Sequence, residues 1–196
     1  MMLLIGVSRK GIMPKYFAAF AYPLSLKQFK LLNIISFKLL WFILVVFQDN
    51  AAVPAIIVLI VLNLWHPNKD EAWKSLVVIA FTGIAIDSIL SLSGVFNFAN
   101  PFLLLPIPLW LILLWLAFAM TLPYGFSFIK KYTITVQAII GGLASFSYLI
   151  GRNLDAVSYS YSSIATQFFL IVLWGFLVPL YFILEKRRAS KNALLF

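Results

Sequence analysis

The sequence predicts an all-α, polytopic membrane protein with six transmembrane helices and both termini in the cytoplasm. Three observations support this prediction: an apolar composition, six long apolar runs, and basic residues confined to alternate loops. Of the 196 residues, 63% are hydrophobic and 11% are charged, and the mean hydropathy is +1.02. Soluble domains have about 45–50% apolar and about 25% charged residues. A chain of this composition therefore has to be solvated mostly by lipid.

The six apolar runs are separated by polar or proline-containing segments. The first two runs are short against the ~20 residues that a spanning helix needs, so we expect a tight helical hairpin with local thinning or interfacial anchoring. Residues 94–108 leave two alternatives open, a helix beginning at Pro101 or a broken or re-entrant entry. Pro123 and Gly125 are expected to kink or end the fourth span. The predicted spans are 31–47, 51–65, 73–93, 109–128, 133–150 and 164–184.

The chain divides into three parts on the same evidence. Residues 1–30 form a basic N-terminal extension, either interfacial or disordered, because their apolar stretches are too short to span. Residues 31–185 are the six-helix transmembrane domain, and residues 186–196 are a basic cytoplasmic tail. A secretory signal is rejected for the first segment because its charges follow, rather than precede, a short apolar stretch.

The orientation follows from the basic residues. With the N-terminus inside, thirteen of the fifteen basic residues fall on the cytoplasmic side, as the positive-inside rule requires. The exceptions are Lys38, within the first span, and Arg152, just beyond the fifth. The thirteen are Arg9, Lys10, Lys15, Lys27, Lys30, Lys69, Lys74, Lys130, Lys131, Lys186, Arg187, Arg188 and Lys191.

Asp87, inside the third predicted span, is the residue most open to a functional interpretation. An unpaired carboxylate at that depth costs several kcal/mol, so it needs a cation, hydrogen-bond donors or a proton. Arg152 is the predicted partner, with Lys38 as the alternative, although Lys38 can snorkel towards the cytoplasm. Two interpretations stay open: an outward-facing polar pocket that includes Ser88, or a structural ion pair between the third and fifth spans.

Small residues in the fifth span predict close helix packing. Ala138 and Gly142, and likewise Gly141 and Ser145, are spaced by four, as in small-residue helix contacts. Packing inside one chain is favoured over a dimer contact. The third span, which carries Gly83 four residues before Asp87, is the expected neighbour. Gln137 is expected to bond across to another helix.

Several function classes have no support in the sequence. There is no cysteine, and His66 is the one histidine, so neither a metal site nor a cofactor is predicted. The basic residues do not interleave with aromatic residues on one face, which argues against nucleic acid. No G-x-S-x-G elbow, phosphate loop or dinucleotide fingerprint occurs, which argues against an enzyme. Membrane lipids, and a protein partner in the membrane, are the expected contacts.

The order of motifs resembles an uncharacterised bacterial inner-membrane family, domain of unknown function 2878. The resemblance rests on Gly83-x-x-x-Asp87-Ser88, on the tryptophan-rich segment 108–122, and on Ser147-Tyr148-Leu149-Ile150-Gly151-Arg152. It covers residues 37–188. The family pattern has Asn-His where this chain has Pro123-Tyr124, and a proline where it has Leu143, so the histidine of that pattern is missing here.

The resemblance implies a bacterial inner-membrane location and no assigned activity. By this resemblance, the genes of family members look like companions of genes for fatty-acyl modification of membrane lipids, of the cyclopropane-synthase kind. We therefore expect a membrane component that binds lipid or a partner near Asp87 and Arg152. The alternatives are a small transporter or lipid-translocating protein that uses Asp87, and a lipid-modifying enzyme.

Overall fold

The computed structural model describes residues 25–64 and 69–193, and this part of the chain is mostly helical. The predictions for residues 1–24, for His66 and for the last three residues lie outside the described residues. The helices are α1 Leu26–Phe47, α2 Ala52–Leu64, α3 Lys69–Leu92, α4 Leu109–Thr121, α5 Ile134–Ala144, α6 Phe146–Asn153 and α7 Ser163–Ala193; 3-10 turns cover Gln48–Ala51 and Ser127–Lys131, and short strands β1 and β2 cover Phe96–Asn97 and Ser158–Tyr159.

Three helical segments of the described chain are long and apolar enough to cross a membrane. They are Lys27–Leu62, Ile134–Asn153 and Ser163–Arg187, and two shorter apolar helices cover Leu76–Leu92 and Leu109–Thr121. The first segment is divided at Gln48, whose φ of 50° ends α1. The helices are therefore those of a membrane protein by length and composition.

The helical pair α1 and α2 packs on α4. A capping box starts α1 because the Ser25 hydroxyl accepts from the Gln28 N–H and the Gln28 side chain accepts from the Ser25 N–H. This places the helix start five residues before the predicted one. Along α2, a buried stripe with helical spacing runs the length of the helix and joins the core around α4. The stripe comprises Ala51, Ala52, Ala55, Leu59 and Leu62.

The central helix is α4. It is apolar on all sides and packs against α1, α2 and α3, which is why most of its side chains are buried. Its N-terminus is capped from another segment, since Asp49 Oδ1 accepts from the Trp110 N–H at 2.9 Å. The predicted span ran to residue 128, with Pro123 and Gly125 expected to kink or end it, and the helix ends at Thr121. The chain leaves the helix after Thr121 because Pro123 and Gly125 follow, and the Gly125 N–H closes the turn on the Thr121 carbonyl at 2.7 Å.

The predicted fifth span is broken into α5 and α6 at Ser145. Thr133 caps α5 by accepting from the Val136 N–H, and the helix then ends two residues after Gly142. Glycine and serine are common at such breaks because they tolerate a locally irregular ladder. The apolar run itself continues through the break, so hydropathy alone predicts one helix.

Residues 94–108 form a loop without a helix, so the first of the two alternatives for this segment, a helix beginning at Pro101, does not occur. The loop is held on the bundle by the Ser91 hydroxyl, which donates to the Pro106 carbonyl at 2.9 Å. Its strand β1 pairs antiparallel with β2, so that Phe96 faces Tyr159.

Hydrogen bonds and strand pairing join the segments between helices into two groups, one at each end of the helical bundle. At the loop end (residues 48–51, 93–108 and 154–162), Gln48 Nε2 donates to the Asp155 carbonyl and β1 pairs with β2. At the basic end (residues 25–30, 122–133 and 185–187), Lys30 Nζ donates to Ser127 Oγ at 3.2 Å and Lys130 pairs with Glu185 at 2.6 Å. Each of α1, α4 and α7 therefore links one end to the other.

Candidate functional site

The Asp87 carboxylate is sealed inside the bundle and is held by two neutral donors. Its exposed fraction is 0%. The Trp115 indole N–H donates to Oδ2 at 2.7 Å, and the Tyr148 hydroxyl donates to Oδ1 at 2.9 Å. The three side chains come from α3, α4 and α6, so one buried acid ties three helices together. Both donors lie in the segments that carry the family resemblance.

Gly83 gives the Trp115 indole its place. A Cβ atom at Gly83 would overlap the indole ring, so only glycine lets α4 approach α3 this closely. Gly83 lies one helical turn before Asp87, which aligns the indole N–H with the carboxylate. The spacing Gly83-x-x-x-Asp87 therefore has a physical reason: one residue admits the ring and the other accepts its proton.

An aromatic column runs from this carboxylate to the loop end. The Trp115 ring stacks on the Trp174 ring with centroids 5.4 Å apart, and the Trp174 ring lies 6.2 Å from the Tyr148 ring. Tyr148 stacks on Phe96 at 5.4 Å, and Phe96 stacks on Tyr159 at 5.5 Å. The column is Trp115, Trp174, Tyr148, Phe96 and Tyr159. It joins α4, α7, α6 and both strands.

Arg152 closes the column at the surface. Its Cζ lies 5.7 Å from the centre of the Tyr159 ring, a cation–π distance. Burial raises the pKa of Tyr159 to about 12, while Arg152 acts in the opposite direction. The phenol therefore stays neutral at physiological pH. The exposed guanidinium has a ring beneath it and a long 3.5 Å hydrogen bond to Asn153 Oδ1, and no carboxylate of residues 25–64 or 69–193 lies within 4 Å of it.

The predicted ion pair between Asp87 and Arg152 does not form in the structure. Tyr148, one turn earlier on α6, reaches the carboxylate, while Arg152 lies one turn nearer the surface. Lys38 is exposed on the outside of α1 and makes no ion pair with Asp87. Ser88, the next residue of α3, has a buried Oγ without a hydrogen-bond partner, but adjacent side chains of a helix point in different directions. The structure connects Arg152 to Asp87 through the column.

The small residues of α5 face α7 rather than α3, which corrects the predicted neighbour. A Cβ atom at Gly141 would overlap the Trp174 carbonyl, and one at Gly142 would lie 3.1 Å from Ile171 Cγ2. From the α7 side, a Cβ atom at Gly175 would lie 3.3 Å from the Ala138 carbonyl oxygen. The two helices are therefore in close backbone contact.

Two polar side chains of α5 and its C-terminal end, Gln137 and Ser145, make hydrogen bonds inside the protein. Ser145 Oγ accepts from Gln167 Nε2 at 2.9 Å, inside the bundle. Gln137 does not bond across to another helix, because its amide donates to the Ile129 and Tyr132 carbonyls just before its own helix. Gln137 therefore fixes the start of α5.

Sequence reasoning found the acid but missed its donors. Trp115 and Tyr148 both lie inside the motifs that carry the family resemblance. Their place in those motifs was the one feature of the sequence that could have pointed to them. Trp174 and Gln167 carried no signal beyond being a tryptophan and a polar residue within an apolar run. In the part of the chain that the structure describes, no three acidic or histidine side chains lie close enough to hold a metal ion.

A family model of a protein of unknown function, DUF2878, matches residues 30–180. The chain belongs to this family. The predicted resemblance is therefore confirmed, and Asp87, Trp115, Tyr148 and Arg152 all lie within the matched range. No curated protein and no solved structure matches the chain. The motifs of this DUF2878 member thus meet at one place, the buried acid and its aromatic column.

Proposed function

We propose that the protein is a six-span component of the bacterial inner membrane, with both termini in the cytoplasm, that binds the phosphate of lipid head groups with Arg152 at its outer end. The proposal rests on the Arg152 guanidinium, which is exposed and lies on the Tyr159 ring. Among the residues that the structure describes, it has no carboxylate partner. On this proposal Asp87 is the internal brace that holds the site in shape.

The two ends of the bundle support the proposed topology. No lysine or arginine occurs in the three segments of the loop end. The basic end is positively charged, as a cytoplasmic surface is under the positive-inside rule. Its described basic side chains are Lys27, Lys30, Lys130, Lys131, Lys186 and Arg187.

The short helices are compatible with six crossings. With 13 residues each, α2 and α4 are ~20 Å long at 1.5 Å per residue, less than the ~30 Å hydrocarbon core. Because α4 is surrounded by other helices, it does not have to match the lipid thickness. For α2, which exposes one face, local thinning of the bilayer makes up the difference.

The surroundings of Arg152 favour a lipid over a protein partner. Ile150 and Leu154, on either side of it in sequence, are 47% and 40% exposed. An arginine among exposed apolar side chains at a helix end has the composition of a membrane interface, where the apolar groups meet acyl chains. The guanidinium matches a phosphate through two parallel hydrogen bonds, and the ring beneath it fixes its position before binding.

A lipid-translocating or transport function has one specific observation in its favour. The break at Ser145 divides a predicted span beside a buried acid, and broken helices line the substrate sites of many transporters. Against it, Asp87 is sealed and both of its oxygens are occupied. A catalytic role for Asp87 faces the same obstacle, so lipid binding is the function that the geometry supports best.

Native mass spectrometry of the purified protein with phosphatidylglycerol tests the proposal. Arg152→Gln should weaken binding about tenfold, since a charge-assisted hydrogen bond contributes ~1.5–3 kcal/mol. Lys38→Gln removes an equal charge from an exposed site without a ring beneath it and should have little effect. Equal weakening by both variants, or by neither, would refute a site at Arg152.

A further inference from the structure

The helix break at Ser145 is fixed by side-chain hydrogen bonds. The Ser145 N–H is shared between the Gly141 and Gly142 carbonyls at 3.3 Å each. Its hydroxyl donates to the Gly142 carbonyl at 2.6 Å and accepts from Gln167. The interruption between the two helical pieces, α5 and α6, is thus built into the fold at a defined residue, while the Ser145 backbone keeps right-handed helical angles (φ −62°, ψ −19°) and its bond to Gly141.

The two pieces are held very differently. Glycines bring the backbone of α5 against that of α7, so α5 has no room to move. In α6, Gly151 is the only buried residue among eight, and Phe146 is 40% exposed. Segments with few buried apolar contacts open at low free-energy cost. What holds α6 to the bundle is chiefly the side chain of Tyr148, on Asp87 and in the aromatic column.

We propose that α6 turns about Ser145 as a gate, which takes the Tyr148 hydroxyl away from Asp87 and opens the carboxylate to the loop end. The contacts that have to break are the hydrogen bond to Oδ1 and the ring contacts of Tyr148 with Phe96 and Trp174. The contact of Arg152 with the Tyr159 ring has to shift with them. Trp115 remains on Oδ2, because it belongs to α4 and is seated by Gly83. The opened site is a carboxylate with one free oxygen and one fixed donor.

The gate also connects the two ends of the column. Arg152 lies on the same short helix, one turn beyond Tyr148, so an anion bound by Arg152 acts on the position of α6. This coupling rests on the proposed lipid-binding function, whereas the motion of the gate does not. A head group that prefers one position of α6 shifts the exposure of Asp87 accordingly.

Thiol labelling in nanodiscs tests the gate, because the natural chain has no cysteine. Ser88→Cys places one thiol at the residue that follows Asp87 on α3, where the native hydroxyl is sealed from solvent. Adding Tyr148→Phe removes the bond that holds the gate, and the labelling rate should rise about tenfold. Thr121→Cys, with 1% exposure at the basic end, is the matched control and should not respond. No acceleration at position 88, or equal acceleration at both positions, would overturn the gate.

Hydrogen–deuterium exchange of the cysteine-free chain keeps the proposal testable if the thiol variants fail to fold. Backbone amides of 146–153 should exchange at least about tenfold faster than those of 134–144. Tyr148→Phe should accelerate the first group alone. Equal protection on both sides of Ser145 would refute the gate. If phosphatidylglycerol leaves the exchange unchanged while Tyr148→Phe accelerates it, the gate stands and lipid coupling fails.

Discussion

Replacing Asp87 tests whether the buried acid is held by neutral donors or by a cation. In the structure, Trp115 donates to one oxygen and Tyr148 to the other. An asparagine can keep the bond from the indole and replace the other. Its carbonyl accepts from the indole, which is a donor only, and its amide can donate to the tyrosine oxygen, but the tyrosine hydroxyl hydrogen then loses its acceptor. Asp87→Asn should therefore cost ~1–3 kcal/mol of unfolding free energy, for one unsatisfied donor.

Asp87→Leu removes the acceptor and leaves two donors unsatisfied. Each buried donor without a partner costs ~1–3 kcal/mol, so this variant should lose ~2–6 kcal/mol. For a chain of this size, 1 kcal/mol shifts the melting temperature by about 2–4 °C. The leucine variant leaves one more donor unsatisfied than the asparagine variant, so it should melt ~2–12 °C below it.

Thermal unfolding of the detergent-solubilised protein, followed by tryptophan fluorescence, measures both variants. The control is Asp155→Asn, which replaces an exposed acid at the loop end and should not shift the transition. An asparagine variant as unstable as the leucine variant would refute the account, because it would mean that the negative charge itself is required and that a cation lies beside Asp87.

Three further predictions use the same unfolding measurement. Gly83→Ala should cost ~1–3 kcal/mol of unfolding free energy, because its methyl group would overlap the Trp115 indole ring. Gly151→Ala is the control and should cost much less, because the nearest atom to its new methyl group lies 3.8 Å away. Equal costs would contradict the close contact between Gly83 and the indole ring. Asp49→Ala should cost ~1 kcal/mol by uncapping the central helix, and no loss would show that water caps it as well. Glu185→Gln should change stability by less than ~1 kcal/mol, since its pairing with Lys130 is partly exposed and screened, and a larger loss would mark that pair as part of the core.

The positions of the helices were largely predictable because lipid and a dry core impose the same requirement, a long apolar run. Hydropathy alone did not define the helix ends where the chain stays uncharged. Residues 122–128 carry no charge, and it is Pro123 and Gly125 that indicate the turn that closes there. At Ser145 the run continues, and only hydrogen bonds to Gly142 and from Gln167 define the break.

The sequence predicted the buried acid of the site but not its hydrogen-bond partners. A carboxylate inside an apolar run is conspicuous, so Asp87 could be found from sequence. Its partners could not be chosen from charge, because two neutral donors satisfy it in place of a cation. Arg152 was one helical turn away from the correct residue. Which turn of α6 faces Asp87 depends on the break at Ser145, and hydropathy does not reveal that break.

A cryo-electron microscopy structure in nanodiscs that contain phosphatidylglycerol tests the central claim most directly. The account predicts a lipid phosphate within hydrogen-bond distance of the Arg152 guanidinium, at ~2.7–2.9 Å, with the Tyr159 ring still beneath the guanidinium. An Arg152 side chain that turns inward to pair with Asp87, or with another carboxylate of the chain, and leaves no head group at the loop end would contradict it.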